Sequence, residues 1–187
     1  MKYQTSDFRN GLKVELDGYP YIMTYFQFVK PGKGTAFTRT KLKNMLTGSV
    51  IERTFRTGET LEAADVEDQG MEYLYNDGEF YHFMNTETYD QIQIPEATLG
   101  EDATFLTENL QVQILFYKGR PVNMELPNFI ESAIEYCEPG VKGNTATGAV
   151  KPATITSGAT VNVPLFVEQG EVIRIDTRTK AYVGRVK

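Results

Sequence analysis

The side chain best displayed for chemistry in this sequence is Lys33, between two glycines in the run Phe28-Val29-Lys30-Pro31-Gly32-Lys33-Gly34-Thr35-Ala36-Phe37. Neither Gly32 nor Gly34 can pack the amine down or screen it, so it is open to a partner or to a modifying enzyme. Pro31 fixes one φ angle and the glycines permit positive φ, which suits a tight hairpin tip rather than a helix or a buried core. The plain alternative is an ordinary solvated turn.

No catalytic constellation competes with it. His82 is the only imidazole and lies in an aromatic run, where a structural role is expected. Cys137 has no histidine partner nearby and reads as a buried, inert thiol. The carboxylates show no spacing that singles out an acid-base pair. Neither a phosphate-cradling loop nor a GxSxG elbow is present, and Lys30-Pro31-Gly32-Lys33-Gly34 is too short for a Walker loop. One His and one Cys can build neither a cysteine-rich metal site nor an internal disulfide. The expectation is a protein that is not an enzyme and holds no metal. Tyr73, Tyr75, Tyr81 and Phe83 are of a type that stacks on bases, but their acidic neighbours favour cross-strand packing.

Charge is segregated along the chain. Residues 30–56 carry Lys30, Lys33, Arg39, Lys41, Lys43, Arg53 and Arg56 against Glu52 alone, whereas residues 57–117 contain no Lys or Arg and accumulate Asp and Glu. From Pro139 onward the balance turns basic again, through Lys142, Lys151, Arg174, Arg178, Lys180, Arg185 and Lys187. A net charge of −6 thus conceals two basic ends around an acidic middle. Two separated contacts with a polyanion follow from that pattern, and the acidic centre restrains loose non-specific binding.

The elements that must position these groups read as β-strands. Apolar content of 41% and aromatic content of 12% describe a globular chain, and helical periodicity is scarce, so the fold class expected is all-β. Leu12, Val14 and Leu16 alternate with polar residues up to Asp17-Gly18, a strong hairpin signal. Tyr19 to Val29 forms the next strand and leads into the Lys33 turn. From Thr35 to Leu46 the residues Ala36, Thr38, Thr40 and Leu42 alternate with Phe37, Arg39, Lys41 and Lys43, which makes one strand face basic. A hairpin is expected around Asn76-Asp77-Gly78, a short helix between Glu96 and Asn109, and another hairpin across Lys118-Gly119. Boundaries near Leu61 to Val66 and at Pro127 divide the chain into residues 1–64, 65–127 and 128–187, each about the smallest size that folds alone. The later units suggest five-stranded barrels of the oligonucleotide-binding (OB) type. No segment approaches the roughly 20 apolar residues of a membrane span, and Met1 to Asp7 lacks the apolar core of a signal peptide, so a cytoplasmic protein with no membrane partner is expected.

Several motifs, in order, resemble those of the bacterial translation elongation factor P family over the whole length. They are Asp7-Phe8-Arg9-Asn10-Gly11-Leu12-Lys13, then Phe28 to Gly34, then Tyr73-Leu74-Tyr75-Asn76-Asp77-Gly78-Glu79-Phe80, then Lys151-Pro152-Ala153-Thr154, Val163 to Val167 and Gly170 to Arg178. Each is weak alone, and their order and spacing together are specific.

The resemblance implies an SH3-like (KOW) barrel followed by two OB barrels, in an L-shaped arrangement like transfer RNA. It implies a monomer that binds both ribosomal subunits between the peptidyl and exit sites and relieves stalling at consecutive prolines. No cofactor is implied; instead Lys33 is expected to be modified by a dedicated enzyme, with a β-lysyl or another amine-bearing adduct. Lys30, Pro31, Gly32 and Gly34 form the tip, Arg39, Lys41 and Lys43 are candidate contacts to peptidyl-tRNA or ribosomal RNA, and Tyr182 and Arg185 are candidate C-terminal contacts. Gly143-Asn144-Thr145 corresponds to a loop facing the exit-site codon, where the family often has Gly-Asp-Thr. Asparagine keeps the size and an acceptor but removes the charge. The third barrel, absent from hypusine-containing relatives, points to the bacterial branch. The competing reading is a free-standing OB module that binds single-stranded nucleic acid without the ribosome.

Overall fold

The structure, a computed structural model, describes residues 1–140 and 148–187. Contacts divide the chain into two compact units, one of Met1–Asp68 with Leu115–Asn123, the other of Gln69–Ile114 with Met124–Lys187. Its strands form three sheets, and the fold is all-β. Among the described residues no helix is long and apolar enough to cross a membrane.

The first sheet contains β1 (Lys2–Gln4), β2 (Lys13–Leu16), β3 (Tyr19–Val29), β4 (Phe37–Asn44), β5 (Val50–Arg56) and β6 (Thr60–Ala63), in the order β1-β6-β2-β3-β4-β5. The turn from β2 to β3 uses Asp17 and Gly18 with φ of 52° and 80°. Positive φ at both central residues matches the twist of an antiparallel pair, which is why Asp-Gly is so strong a hairpin signal. Val14, Met23 and Leu42 are fully buried at the centre of this core, and Phe8 meets Phe55 edge-on at 5.4 Å. Along β4, Thr38, Thr40, Leu42 and Asn44 are buried while Arg39, Lys41 and Lys43 face out. The period-two reading of that strand is therefore correct, although pairing begins at Phe37 rather than Thr35.

The second sheet contains β7 (Val66–Asn76), β8 (Phe80–Asn85), β9 (Gln91–Pro95), β10 (Gln111–Tyr117) and β11 (Arg120–Glu125), in the order β11-β10-β7-β8-β9. The segment after β9 is a short helix, α1 (Glu96–Leu99), continued by a 3-10 turn over Gly100–Phe105. Phe105 inserts into the core built around Ile130, Ile155 and Ile175, so this segment is tied into the packing of the unit that holds it.

The Leu115–Asn123 hairpin belongs to the first compact unit. Leu115, Tyr117 and Val122 pack with Met45, Leu46 and Val66. The Tyr117 hydroxyl donates to Glu15 Oε1 at 2.5 Å, and Lys118 Nζ lies 3.4 Å from the same oxygen. The Tyr117 hydrogen bond holds the Glu15 carboxyl below its usual range, and the same bond raises the phenol. Hydrophobic periodicity carries no trace of this latch, because its partners are about a hundred residues apart.

The third sheet contains β12 (Phe129–Cys137), β13 (Val150–Ile155), β14 (Thr160–Pro164), β15 (Val172–Asp176) and β16 (Ala181–Arg185), in the order β14-β13-β12-β15-β16. Pro152 lies within β13, opposite Asn162 of β14. Its neighbours Lys151 and Ala153 are buried, so the strand is held by side-chain packing where proline has no N–H to donate.

Candidate nucleic-acid interface

The hairpin of β3 and β4 supplies the most exposed basic feature of the first unit. Its register pairs Phe26 with Thr40, Gln27 with Arg39, Phe28 with Thr38 and Val29 with Phe37. From Thr24 to Phe28 every β3 side chain is exposed on both faces, with Phe26 at 41% and Phe28 at 60%. Thr38 and Thr40 of the facing β4 stay buried, and β4 is paired with β5 as far as Phe37, so β3 is the wet edge of the sheet here and only the turn between Val29 and Phe37 extends past the paired strands. At the turn, Lys30, Gly32, Lys33 and Gly34 are exposed and Pro31 is half-buried. Only Gly34 of the two glycines takes positive φ, at 106°. Among the described residues neither Lys30 nor Lys33 makes an ion pair or a side-chain hydrogen bond.

The outward face of the hairpin is basic as expected. Arg39 lies over the Phe37 ring at 5.5 Å, and Lys41 over Tyr25 at 5.7 Å. Lys41 also sits 3.9 Å from Glu52, an exposed pair that contributes little in water. Arg39 and Lys43 have no carboxylate partner among the described residues. Cation-aromatic contacts orient these side chains without neutralising them, so the face presents positive charge in a fixed pattern. Arg53, by contrast, is paired with Asp17 at 3.3 Å.

The candidate C-terminal contacts are differently placed. Tyr182 is half-buried against the third core. Arg185 lies over Phe166 at 4.9 Å and pairs with Glu171 at 3.4 Å, so it is already engaged within the barrel. A cationic cluster that motif reading does not single out surrounds Phe129, with the guanidinium of Arg174 at 4.6 Å and that of Arg178 at 5.4 Å. Arg178 forms a two-pronged contact with Asp176, at 3.1 and 2.9 Å, and holds that carboxyl below its usual range. The register that sets Phe129 opposite Asp176 creates the cluster. Its only trace in sequence is the alternation of Arg174, Asp176 and Arg178. Gly143, Asn144 and Thr145 lie outside the described residues.

His82 and Cys137 have structural surroundings. His82 Nε2 is 2.7 Å from Asp77 Oδ2, and the ring stacks on Tyr75 at 4.3 Å. Asp77 Oδ1 accepts the backbone N–H groups of Glu79 and Phe80 at 2.9 and 2.7 Å. The bond from the Phe80 N–H, followed by His82 and the Glu79 N–H, lowers the Asp77 pKa to about 2. Cys137 is buried, its Sγ 3.9 Å from the Val167 carbonyl. Tyr73, Tyr81 and Phe83 are buried and packed on one another, with ring centres 5.5 to 6.0 Å apart. Of the four aromatics that could have stacked on bases, Tyr73, Tyr75, Tyr81 and Phe83, only Tyr75 is exposed, at 52%.

Comparison with known proteins agrees along the whole chain. Residues 4–61 match a family model described as the elongation factor P (EF-P) KOW-like domain, residues 66–124 the elongation factor P (EF-P) OB domain, and residues 130–185 the elongation factor P C-terminal region. Elongation factor P of Pectobacterium atrosepticum is 51% identical over 185 residues, covering 99% of this chain and 98% of the relative. That of Bdellovibrio bacteriovorus is 52% identical over 184 residues, with 98% of each covered. Among solved structures, eukaryotic translation initiation factor 5A from Methanococcus jannaschii aligns with a TM-score of 0.54 at 21% identity, over 65% of this chain and 91% of that one. At that identity the likeness is one of fold.

Proposed function

The chain belongs to the elongation factor P family of translation factors, and on that premise we propose that it binds the ribosome between the peptidyl and exit sites and promotes peptide-bond formation at proline runs. Lys33, carrying a β-lysyl or another amine-bearing adduct, positions the peptidyl-tRNA. The observation that carries this reading is the unengaged Lys33 amine in the exposed turn between β3 and β4, backed by the outward row of Arg39, Lys41 and Lys43.

Proline is a secondary amine in a rigid ring and participates poorly in peptide transfer, so the peptidyl-tRNA drifts from productive geometry. A cationic arm laid along its terminal phosphates and sugars restrains that drift through charge-assisted hydrogen bonds. A tenfold gain in rate requires about 1.4 kcal/mol, within the range of one such contact. Arg39, Lys41 and Lys43 contact phosphates behind the tip, and Tyr182 and Arg185 contribute at the small subunit. The bond-forming chemistry stays with the ribosome.

The decisive experiment is reconstituted translation of a message with a proline run, comparing the natively modified protein with a Lys33→Ala variant. Loss of rescue is expected, and equal rescue would overturn the reading. Modification is tested separately by mass spectrometry of tryptic peptides from the native host. Trypsin cuts poorly at Lys30-Pro31 and does not cut after a modified Lys33, so Val14 to Arg39 should appear as one peptide with added mass. An unmodified Lys33 in active protein refutes the adduct.

A further inference from the structure

The outward side of β3, β4 and β5 mixes aromatic rings with cations in ordered rows. Register sets Tyr25 beside Lys41 and Glu52, Gln27 beside Arg39 and Thr54, and Phe37 beside Arg56. The alternation along β4, with Thr38, Thr40 and Leu42 buried, puts these residues together on the side away from the core. Tyr25 is 42% exposed, and its hydroxyl donates to Gln27 Oε1 at 3.1 Å, which ties the ring along the strand. Phe37 is half-buried towards the turn end of the same face. Arg39, Lys43 and Arg56 have no carboxylate partner among the described residues, and Lys41 has only the long, exposed contact with Glu52.

The two halves of this pattern together restrict the partner. Cations without counter-ions select a polyanion. An acidic peptide would satisfy them but leaves the Tyr25 ring face in water. An RNA duplex offers phosphates while keeping its bases stacked inside, out of reach of a side chain on a flat sheet. An unpaired RNA segment supplies both phosphates and free base faces, and every base has a face that stacks on an aromatic ring. Tyr25 and Phe37 lie about 13 Å apart along the strand direction, so they address different nucleotides, as in sheets whose aromatics stack two or three bases. Gln27 and Thr54 lie between them with amide and hydroxyl groups for a base edge. Arg39 and Lys41 rest over the Phe37 and Tyr25 rings, but both are long and exposed, so each can swing to a phosphate and free the ring for a base.

We infer that this sheet face is a stacking platform for single-stranded RNA, with an unpaired base on the Tyr25 ring and the adjoining phosphates on Arg39 and Lys41. The inference rests on the ribosomal reading of the first unit for its choice of RNA as the polyanion, and it does not involve the Lys33 amine.

The test is binding of single-stranded hexaadenylate RNA to the full-length protein without ribosomes, followed by amide and base-proton chemical shifts. Saturable binding is expected, with amide shifts concentrated at residues 25, 27, 37, 39 and 54 and base protons displaced upfield by the rings. Tyr25→Ala should weaken binding about fivefold or more, whereas Tyr25→Phe, which keeps the ring and loses the bond to Gln27, should stay within about twofold of the wild type. Lys41→Gln should lower the slope of log affinity against log salt by about 0.7 and leave the upfield displacement in place. Tyr25 is exposed, and unperturbed amide shifts elsewhere establish that each variant is folded. The platform is overturned by non-saturating binding, by equal affinity for a short RNA duplex at matched phosphate concentration, or by base protons that do not move upfield. Wild-type affinity in Tyr25→Ala, or equal weakening by Lys2→Gln at the opposite edge of the sheet, overturns it too. Tighter binding of a pentaglutamate peptide to the same residues would transfer the face to a protein partner and refute the RNA assignment. The readout needs neither a ribosome nor Lys33, so its failure leaves the proline-run assay untouched, and equal rescue by Lys33→Ala leaves this binding untouched.

Discussion

Two hairpin tips in this chain carry similar turn chemistry and opposite degrees of constraint. The turn at Asn76-Asp77-Gly78 is tied by its own side chains: Asn76 Oδ1 accepts from the Gly78 N–H at 2.7 Å, Asp77 Oδ1 accepts two further N–H groups, and Asp77 Oδ2 meets His82. The turn at Lys30 to Ala36 has no such ties from Lys30 or Lys33, and the strand leading to it is exposed on both faces. Side-chain bonds that hold a loop also consume its donors and acceptors. A tip meant to engage something outside the protein has to leave its groups unspent, and of these two only the Lys33 turn does so.

The contrast breaks most sharply at Lys33. Lys33→Ala should reduce proline-run translation to the level without the factor while changing stability by less than about 0.5 kcal/mol, as befits an exposed loop residue. The opposite pattern is expected beside the tied turn. Phe83 is fully buried between Tyr73 and its neighbours, so Phe83→Ala should cost about 3–5 kcal/mol in denaturant unfolding. Comparable stability loss in both variants would erase the distinction.

The third tip, at Lys118-Gly119, sharpens it. Tyr117→Phe keeps the ring in its apolar setting but removes the hydrogen bond to Glu15, and should cost about 1.5–3 kcal/mol, the range for a bond to a charged acceptor. An unchanged unfolding midpoint would show that the hairpin is held by apolar packing alone.

The smallest effect is a pH dependence at the tied turn. The folded pKa of Asp77, about 2, lies below the ordinary aspartate value. A depressed carboxyl stabilises the folded state above its unfolded pKa and loses that contribution as the pH falls through the folded value. Hydrogen exchange at the Glu79 and Phe80 amides should therefore accelerate as the pH drops from about 4 to about 2, after correction for intrinsic rates. Asp77→Asn should remove that dependence, and acid-insensitive protection in the wild type would count against the network.

Much of the fold is legible in sequence because β-structure is dictated locally where turns and alternation agree. Asp17-Gly18 and Asn76-Asp77-Gly78 mark hairpins through backbone conformation, and the alternation in β4 identifies its basic face before any partner strand is known. β13 is harder to recognise, since Pro152 argues against a strand and only the buried neighbours on either side make it one. The Lys33 tip and its basic row are likewise visible from residue type and spacing.

What lies beyond sequence reading depends on pairs distant along the chain. The Glu15–Tyr117 bond, the insertion of Phe105 among Ile130 and Ile175, and the arginines around Phe129 each require a particular register or packing before the groups meet. The sequence by itself determined the all-β class, the segregation of charge and the display of one lysine, because these follow from local sterics and composition. Tertiary structure alone decided which charges are already paired, because pairing is a property of neighbours in space.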